Sequence, residues 1–213
     1  MSEPAYYEIS SVSRTPAGMS VVFSCPEEEE PMTLLLSVDI WKKLGHQEGE
    51  RISEEALENI RGAEELCRAI SRTVKILSGS DHSRVQLLRK LQHFGFEGEV
   101  AEKAADYAEA HDYINEERQA LRAADYFVRH KYWGRKRIAA ELLMRGYKKP
   151  AIVKAAESIS EEAYMTSLHA LMDRKFRMAE TKEDREKLFG SLFRLGYSIP
   201  EIKEAVKELQ NES

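Results

Sequence analysis

The chain has 213 residues, a formal net charge of −5 and 42% hydrophobic residues, enough to bury a globular core. Its first residues, MSEPAYYEIS, lack the basic and apolar parts of a secretory signal, and no stretch reaches the roughly eighteen apolar residues of a membrane span. Two cysteines without a CxxC pair exclude a disulfide framework. We therefore expect a helix-rich cytoplasmic protein with no membrane partner.

Charge is spread unevenly along the chain. Residues 1–60 carry 4 basic and 12 acidic side chains, a net charge of −8. Residues 116–160 carry 11 basic and 5 acidic side chains, a net charge of +6. The negative net charge of the whole chain therefore does not exclude an anionic partner that binds residues 116–160.

The N-terminal residues show the alternation of β-strands. Apolar side chains alternate around Tyr7 and Ile9, and the runs MSVVF at 19–23 and MTLLL at 32–36 follow. The turn composition TPAG and the loop-like CPEEEEP separate these segments, which predict a small antiparallel sheet of three strands. The run Glu27–Glu30 keeps a loop solvated or, alternatively, serves as an acidic docking segment.

Helical patterns begin after the strands. SVDIWKKLG and SEEALENI, the latter at 53–60, predict two short helices, the second with a Ser cap and acids in its first turn. From about residue 62 the helical pattern continues to the end of the chain.

Three segments of this helical part repeat one pattern. They read LRKLQHFGFEGEVAEKAAD, AELLMRGYKKPAIVKAAES and GSLFRLGYSIPEIKEAVKE. Each has a glycine, a leucine four residues before it and an aromatic directly after it. The glycines, 51 and 50 residues apart, are Gly95, Gly146 and Gly196. We expect each glycine to end a helix in a left-handed conformation.

A longer helical pattern precedes each segment, so we interpret the chain as three tandem units of three helices. The predicted fold is mainly α, an elongated curved array after a small antiparallel β region. It offers a long surface rather than a deep pocket. The predicted domains are a β-rich region with short helices at 1–60 and repeats at 62–115, 116–160 and 161–213.

No enzyme signature is present. GxGxxG, GxxxxGK[ST], HExxH and GxSxG are all missing, and the six histidines lack metal-ligand spacing. We therefore expect no catalytic residue, no cofactor and no metal.

The segment YFVRHKYWGRKRI, Tyr126–Ile138, holds five Lys or Arg and no acid. Its residues Gly134–Arg137 open the second helix of the middle unit, where the macrodipole favours acids by about 0.3–1 kcal/mol each. The third unit follows that rule, with TKEDREK from Thr181. Cations at such a helix start, without visible compensation, indicate an anion-binding function.

Several alternatives stay open for this segment. Tyr132 and Trp133 either stack on a partner or pack in the core, with the cations simply solvated. Composition does not distinguish DNA phosphate from an acidic protein face. Arg145, Lys148 and Lys149 lie near the next turn and extend the basic patch.

The residues at 112–156 resemble the bacterial RecX regulatory proteins. The family pattern of an acidic lead, a basic helix, a Gly and basic segment, a Glu-Leu pair and a Gly-hydrophobic turn matches this stretch, including Arg129 and Lys131 in the basic helix. Gln119 departs from the Phe usual in the family. The architecture of three repeats extends the resemblance to about 62–210, without the N-terminal strands.

The resemblance implies a non-catalytic protein, monomeric and cytoplasmic, that binds the RecA recombinase filament and single- or double-stranded DNA. In the family this usually means inhibition of filament growth, ATP hydrolysis and strand exchange, in DNA recombination, repair and the SOS response. The candidate binding residues are Arg129, Lys131, Tyr132, Trp133, Arg135, Lys136, Arg137, Arg145, Lys148 and Lys149.

Two other functions remain open. One is a DNA-binding protein built on helix-turn-helix pairs. The third helix of the middle unit carries few side chains suited to base edges, because its small and apolar residues suit packing better: Ala151, Ile152, Val153, Ala155 and Ala156. The other is a helical scaffold for an unrelated protein.

Overall fold

The computed structural model describes residues 6–25, 30–176 and 181–211. Within these residues the chain forms four β-strands near the N-terminus and ten α-helices. The prediction of a mainly helical protein with a small N-terminal antiparallel sheet is confirmed. None of the described helices has the length and apolarity that crossing a membrane requires.

The sheet contains one strand more than expected. Its spatial order is β3-β2-β1-β4, and every pairing is antiparallel. The strands are β1 (Tyr6–Thr15), β2 (Gly18–Ser24), β3 (Met32–Leu36) and β4 (Arg51–Ser53). The short β4 has one buried side chain, Ile52, so it shows no period that sequence analysis could detect.

The prediction that the acidic run Glu27–Glu30 forms a loop or a docking segment stays a prediction, since Glu27–Glu29 lie outside the described residues.

The helices after the sheet differ from the prediction at one point. After α1 (Val38–Leu44), the segment predicted as a short helix at 53–60 is the start of α2 (Glu54–Gly79), one continuous helix of 26 residues. The predicted end of this helix at residue 60 was wrong, because α2 continues through Gly62, an exposed position inside it. A mid-helix glycine costs only about 1 kcal/mol, and burial of Leu57 and Ile60 outweighs that cost. The expected cap is present, because Ser53 Oγ accepts a hydrogen bond from Ala56 N–H at 3.2 Å.

The remaining helices succeed one another with short connections. They are α3 (Arg84–His93), α4 (Gly98–Ala110), α5 (Glu116–Lys131), α6 (Arg135–Met144), α7 (Lys149–Glu157), α8 (Glu161–Phe176), α9 (Lys182–Arg194) and α10 (Ile199–Asn211). The residue boundaries of the three repeats stay a prediction.

The repeated glycines have the left-handed conformation expected of them. Gly95, Gly146 and Gly196 have φ values of 83°, 80° and 95°. The aromatic after each glycine donates its N–H to the carbonyl of the leucine four residues before the glycine, as in Tyr147 to Leu142 at 3.1 Å. This bond closes a Schellman motif, and the leucine is also fully buried. The repeated Leu and Gly therefore mark the same helix ending three times.

The chain divides into two compact units. The first comprises residues 1–79 and 88–111, where the sheet packs on α2 and α2 packs on α4. The second comprises residues 80–87 and 112–213, with one core formed by α5 to α7 and another by α8 to α10.

Inside the second unit, the same contact joins successive repeats twice. Ser83 Oγ, just before α3, donates to Arg145 O at 2.5 Å, and Gly134 N, just before α6, donates to Leu195 O at 2.8 Å. Arg145 and Leu195 are equivalent, because each directly precedes a turn glycine. The start of one repeat's second helix is thus bonded to the end of the next repeat's second helix. Gly134 fits there because it has no side chain: a Cβ would lie 2.5 Å from the Gly196 backbone.

Replacement of Gly134 by Ala tests this contact. Its φ of −79° suits any residue, so the substitution adds a steric clash with backbone rather than conformational strain. We expect Gly134→Ala to lower the free energy of unfolding by about 1–3 kcal/mol in urea titrations followed by circular dichroism. The matched control is Gly190→Ala inside α9, where the nearest heavy atom is 3.8 Å away, and which should raise stability by up to about 1 kcal/mol. Equal stability of Gly134→Ala and wild type would contradict the contact.

Candidate partner-binding surface

The basic segment lies at the end of α5 and the start of α6 in the second unit. Helix α5 is capped by Tyr132, a non-glycine residue in the left-handed conformation with φ of 53°. Two hydrogen bonds hold this conformation: Tyr132 N–H donates to Phe127 O, and its carbonyl accepts from Tyr197 Oη at 3.1 Å. The bend that separates the basic helix end from the basic helix start is therefore fixed by the third repeat.

Trp133 packs within the protein. Its ring stacks on the buried Phe127 with centroids 4.6 Å apart, and it packs against the core of α5 to α7. The Arg137 guanidinium lies 4.4 Å from the Trp133 ring centroid. These contacts favour packing over partner stacking for Trp133, whereas 37% of Tyr132 is exposed.

Arg135 is engaged inside the second unit. Its guanidinium forms an ion pair with Glu161 at the start of α8, lies 3.8 Å from Glu201 and sits 4.1 Å above the ring of Tyr164. Burial raises the pKa of Tyr164 to about 12, against the opposing effect of the Arg135 charge. Arg135 therefore joins α6 to α8 and α10 and is a poor candidate for binding an external anion.

The start of α6 is not the open anion site that the sequence predicts. Besides the Gly134 bond, Lys136 N donates to Gly196 O at 3.3 Å, and Arg137 Nη1 donates to Arg194 O at 3.2 Å. These carbonyls belong to the end of α9, the negative end of its macrodipole. The prediction of uncompensated cations was wrong in this respect, because α9 supplies the compensation. Two of the backbone donors that could have bound a phosphate, the N–H groups of Gly134 and Lys136, are therefore occupied.

The other candidate residues divide into two groups. Arg129 and Arg145 form ion pairs with the acids four residues before them, Asp125 at 2.6 Å and Glu141 at 2.8 Å. Lys131, Lys136, Arg137, Lys148 and Lys149 are exposed, and so is the ion-paired Arg129. Lys148 and Lys149 lie at the opposite end of α6 from Lys136, about 15 Å away for a helix of ten residues.

Sequence analysis missed three exposed apolar residues on α6 and α9. Leu143 and Met144 on α6 are 65% and 78% exposed, and Phe193 on α9 is 51% exposed. Lys136 Nζ lies 5.9 Å from the Phe193 ring centroid, so this cation adjoins an apolar ring. Leu143 and Met144 come seven residues after Lys136 and Arg137, which places them on the same face of α6 and about 10 Å further along the helix. The register contained a usable signal: because Leu142 is the buried leucine of the repeat, the two residues after it turn away from the core. We call Lys136, Arg137, Leu143, Met144 and Phe193 the α6–α9 surface.

In the described part of the chain, no three His, Cys, Asp or Glu side chains are arranged to hold a metal ion.

No protein-family model matches the chain. A regulatory protein RecX from Caldanaerobacter subterraneus subsp. tengcongensis is 30% identical over 167 residues, which cover 76% of this chain and 81% of that relative. The chain belongs to the RecX family. A second regulatory protein RecX, from Clostridioides difficile, is 23% identical over 78% of this chain and 79% of its own length.

Solved RecX structures share the fold. One crystal structure of a regulatory protein RecX superposes with a TM-score of 0.76 over 93% of this chain and 99% of its own, at 16% identity. RecX from Lactobacillus salivarius superposes with a TM-score of 0.64 over 70% of this chain and 98% of its own, also at 16% identity. The first match covers more of this chain than the three repeats, so it includes part of the N-terminal region, which the sequence resemblance had left out.

The different roles of neighbouring cations can be measured. We expect Arg135→Gln to lower the free energy of unfolding by about 1–2 kcal/mol, because Tyr164, Glu161 and Glu201 lose their shared cation. Lys136→Gln, at the next and exposed position, should stay within about 0.5 kcal/mol of wild type in the same urea titration. Equal effects of the two substitutions would show that Arg135 has no special structural role.

Proposed function

We propose that the protein binds the filament that the RecA recombinase forms on DNA and inhibits its growth, its ATP hydrolysis and strand exchange. In this proposal it acts as a cytoplasmic monomer, without catalysis or a cofactor, in DNA recombination and repair and in the SOS response. Membership of the RecX family supports the partner. The observation that carries the proposal is the α6–α9 surface, where the exposed Lys136 adjoins the exposed Phe193, and Leu143 and Met144 are exposed on the same face of α6.

The composition of the α6–α9 surface favours the protein of the filament over bare DNA phosphate as the main contact. Contact with phosphate would not bury the exposed apolar side chains of this surface, which are Leu143, Met144 and Phe193. Apolar residues of this size are instead typical of the centre of a protein interface. The backbone N–H groups of Gly134 and Lys136 at the start of α6 are already bonded within the protein. Lys136 and Arg137 at the edge would then face acidic side chains and speed the encounter. DNA remains a further partner through Lys148 and Lys149, which stand apart at the start of α7.

The helix-turn-helix alternative finds less support. Ala151, Ile152 and Ala155 of α7 are buried in the core of the second unit, so they are not available to base edges. The packing prediction was wrong for Val153, which is 43% exposed because it lies on the outer face of α7, but an apolar side chain there offers no hydrogen bond to a base. The α6–α9 surface would equally suit a scaffold for an unrelated protein, which only a binding measurement can separate from the RecA proposal.

The test is the rate of ATP hydrolysis by RecA on single-stranded DNA at increasing concentrations of this protein. We expect wild type to lower the rate. Lys136→Glu with Arg137→Glu should require at least ~10-fold more protein for the same inhibition, because two attractive charges become repulsive. Leu143→Ser with Met144→Ser should weaken inhibition as well, because the apolar contact with the partner is lost. This variant should fold normally, since both side chains are exposed and belong to no core.

The matched control is Arg89→Glu with Lys90→Glu, which reverses one Arg and one Lys at exposed positions on α3. It should inhibit like wild type. A RecA rate that wild type leaves unchanged contradicts the proposed function. If the Lys136 and Arg137 variant inhibits at the same concentrations as wild type, the contact with RecA does not lie on the α6–α9 surface. Tight binding to one DNA duplex with a steep salt dependence would favour the helix-turn-helix alternative.

A further inference from the structure

A large groove lies within the first compact unit, away from the α6–α9 surface. Its volume is about 1220 Å³, larger than the pockets of roughly 300–1,000 Å³ that hold small molecules. The walls are the end of β3, helix α1, one face of α2, the turn after α3 and the last turns of α4. All of these elements belong to the unit formed by residues 1–79 and 88–111. A groove of this size suits a segment of polypeptide better than a metabolite.

Exposed apolar side chains line the groove at two places. Leu35 on β3 is 41% exposed, and Phe94 in the turn after α3 is 47% exposed. The guanidinium of Arg72 lies 4.2 Å from the Phe94 ring centroid. Apolar residues of this size remain in solvent at a cost unless a partner covers them.

Charge in the groove is opposite to the charge of the unit around it. The unit carries 11 basic and 19 acidic side chains, a net charge of −8. The groove is lined by five Lys or Arg and only three Asp or Glu. Two of its cations are neutralised locally, Arg68 by Glu64 at 3.7 Å and Lys103 by Glu99 at 2.9 Å.

The other three cations of the groove are Lys43 on α1 and Arg72 and Lys75 on α2. No carboxylate of the described residues forms an ion pair with any of them. Arg72 and Lys75 lie three residues apart, so they share a face of α2. This places an uncompensated positive edge beside the exposed apolar side chains.

We propose that this groove binds an acidic peptide segment of a partner protein. Apolar side chains of the segment cover Leu35 and Phe94, and its carboxylates pair with Lys43, Arg72 and Lys75. The charge pattern favours a peptide over a nucleic acid strand, because every nucleotide would bring a phosphate close to a unit of net charge −8. An acidic peptide needs its negative charge only along the positive edge. The site is separate from the RecA proposal and is tested on the protein alone.

The test begins with a random library of displayed 12-residue peptides selected on the full chain. Selected peptides are synthesised with a fluorophore, and their affinity is measured by anisotropy. We expect net negative peptides with two or more apolar side chains. Arg72→Glu with Lys75→Glu should weaken their binding at least ~10-fold, whereas the control pair Arg89→Glu with Lys90→Glu, outside the groove, should leave the affinity unchanged.

A second pair of variants keeps the test decisive if the Arg72 substitution disturbs folding. Lys43→Glu changes a groove cation, and Lys42→Glu changes its exposed neighbour on α1, which does not line the groove. Only Lys43→Glu should weaken binding. The proposal is overturned if the selected peptides are neutral or basic, or if the groove variants bind them as wild type does. It is also overturned if a fluorescent twelve-nucleotide thymidine strand binds the protein and loses affinity with the Lys43 variant.

Discussion

The fold of the second unit depends on one contact, the docking of the start of α6 onto the end of α9. Gly134 and Lys136 donate their N–H groups to Leu195 and Gly196, which satisfies donors of one helix with carbonyls of another. The backbones approach so closely that a side chain at Gly134 has no room. The negative end of α9 also lies where α6 carries its cations, so an arrangement unfavourable for an isolated helix becomes favourable between two repeats.

This contact separates two functions among adjacent residues. Arg135 lies toward Glu161, Glu201 and Tyr164 and joins three helices. Lys136 and Arg137, the next two residues, are exposed beside Phe193 and Trp133. One positive charge of this segment, that of Arg135, therefore stabilises the fold, whereas those of Lys136 and Arg137 are exposed and can meet a partner. A substitution of all three cations would confuse loss of folding with loss of binding, whereas a substitution that spares Arg135 removes from the fold only the contacts of Arg137 with Trp133 and Arg194 O.

Much of the fold was predictable because its signals are local. The Leu and Gly of each repeat form a Schellman ending within six residues, and the helical periods are long. The missed features depend on distant parts of the chain. Strand β4 is defined by its partner β1, and α2 continues through Gly62 because packing outweighs propensity. The compensation of the basic helix start comes from α9 and has no sign in the sequence around Arg135. The exposure of Leu143 and Met144 was readable from register, but apolar residues on a helix are ordinarily assigned to a core.

Hydrogen exchange of single amides, measured by NMR on the free protein, tests the docking of α6 on α9 most directly. The amides of Gly134 and Lys136 precede or begin a helix, where exchange is usually fast because no intrahelical acceptor exists. The account predicts that both exchange as slowly as amides in the middle of α6. The comparison is Glu183, in the first turn of α9, which should exchange much faster. Exchange at Gly134 and Lys136 as fast as at Glu183 would show that the start of α6 is open, and would return the segment to the role of a free anion site.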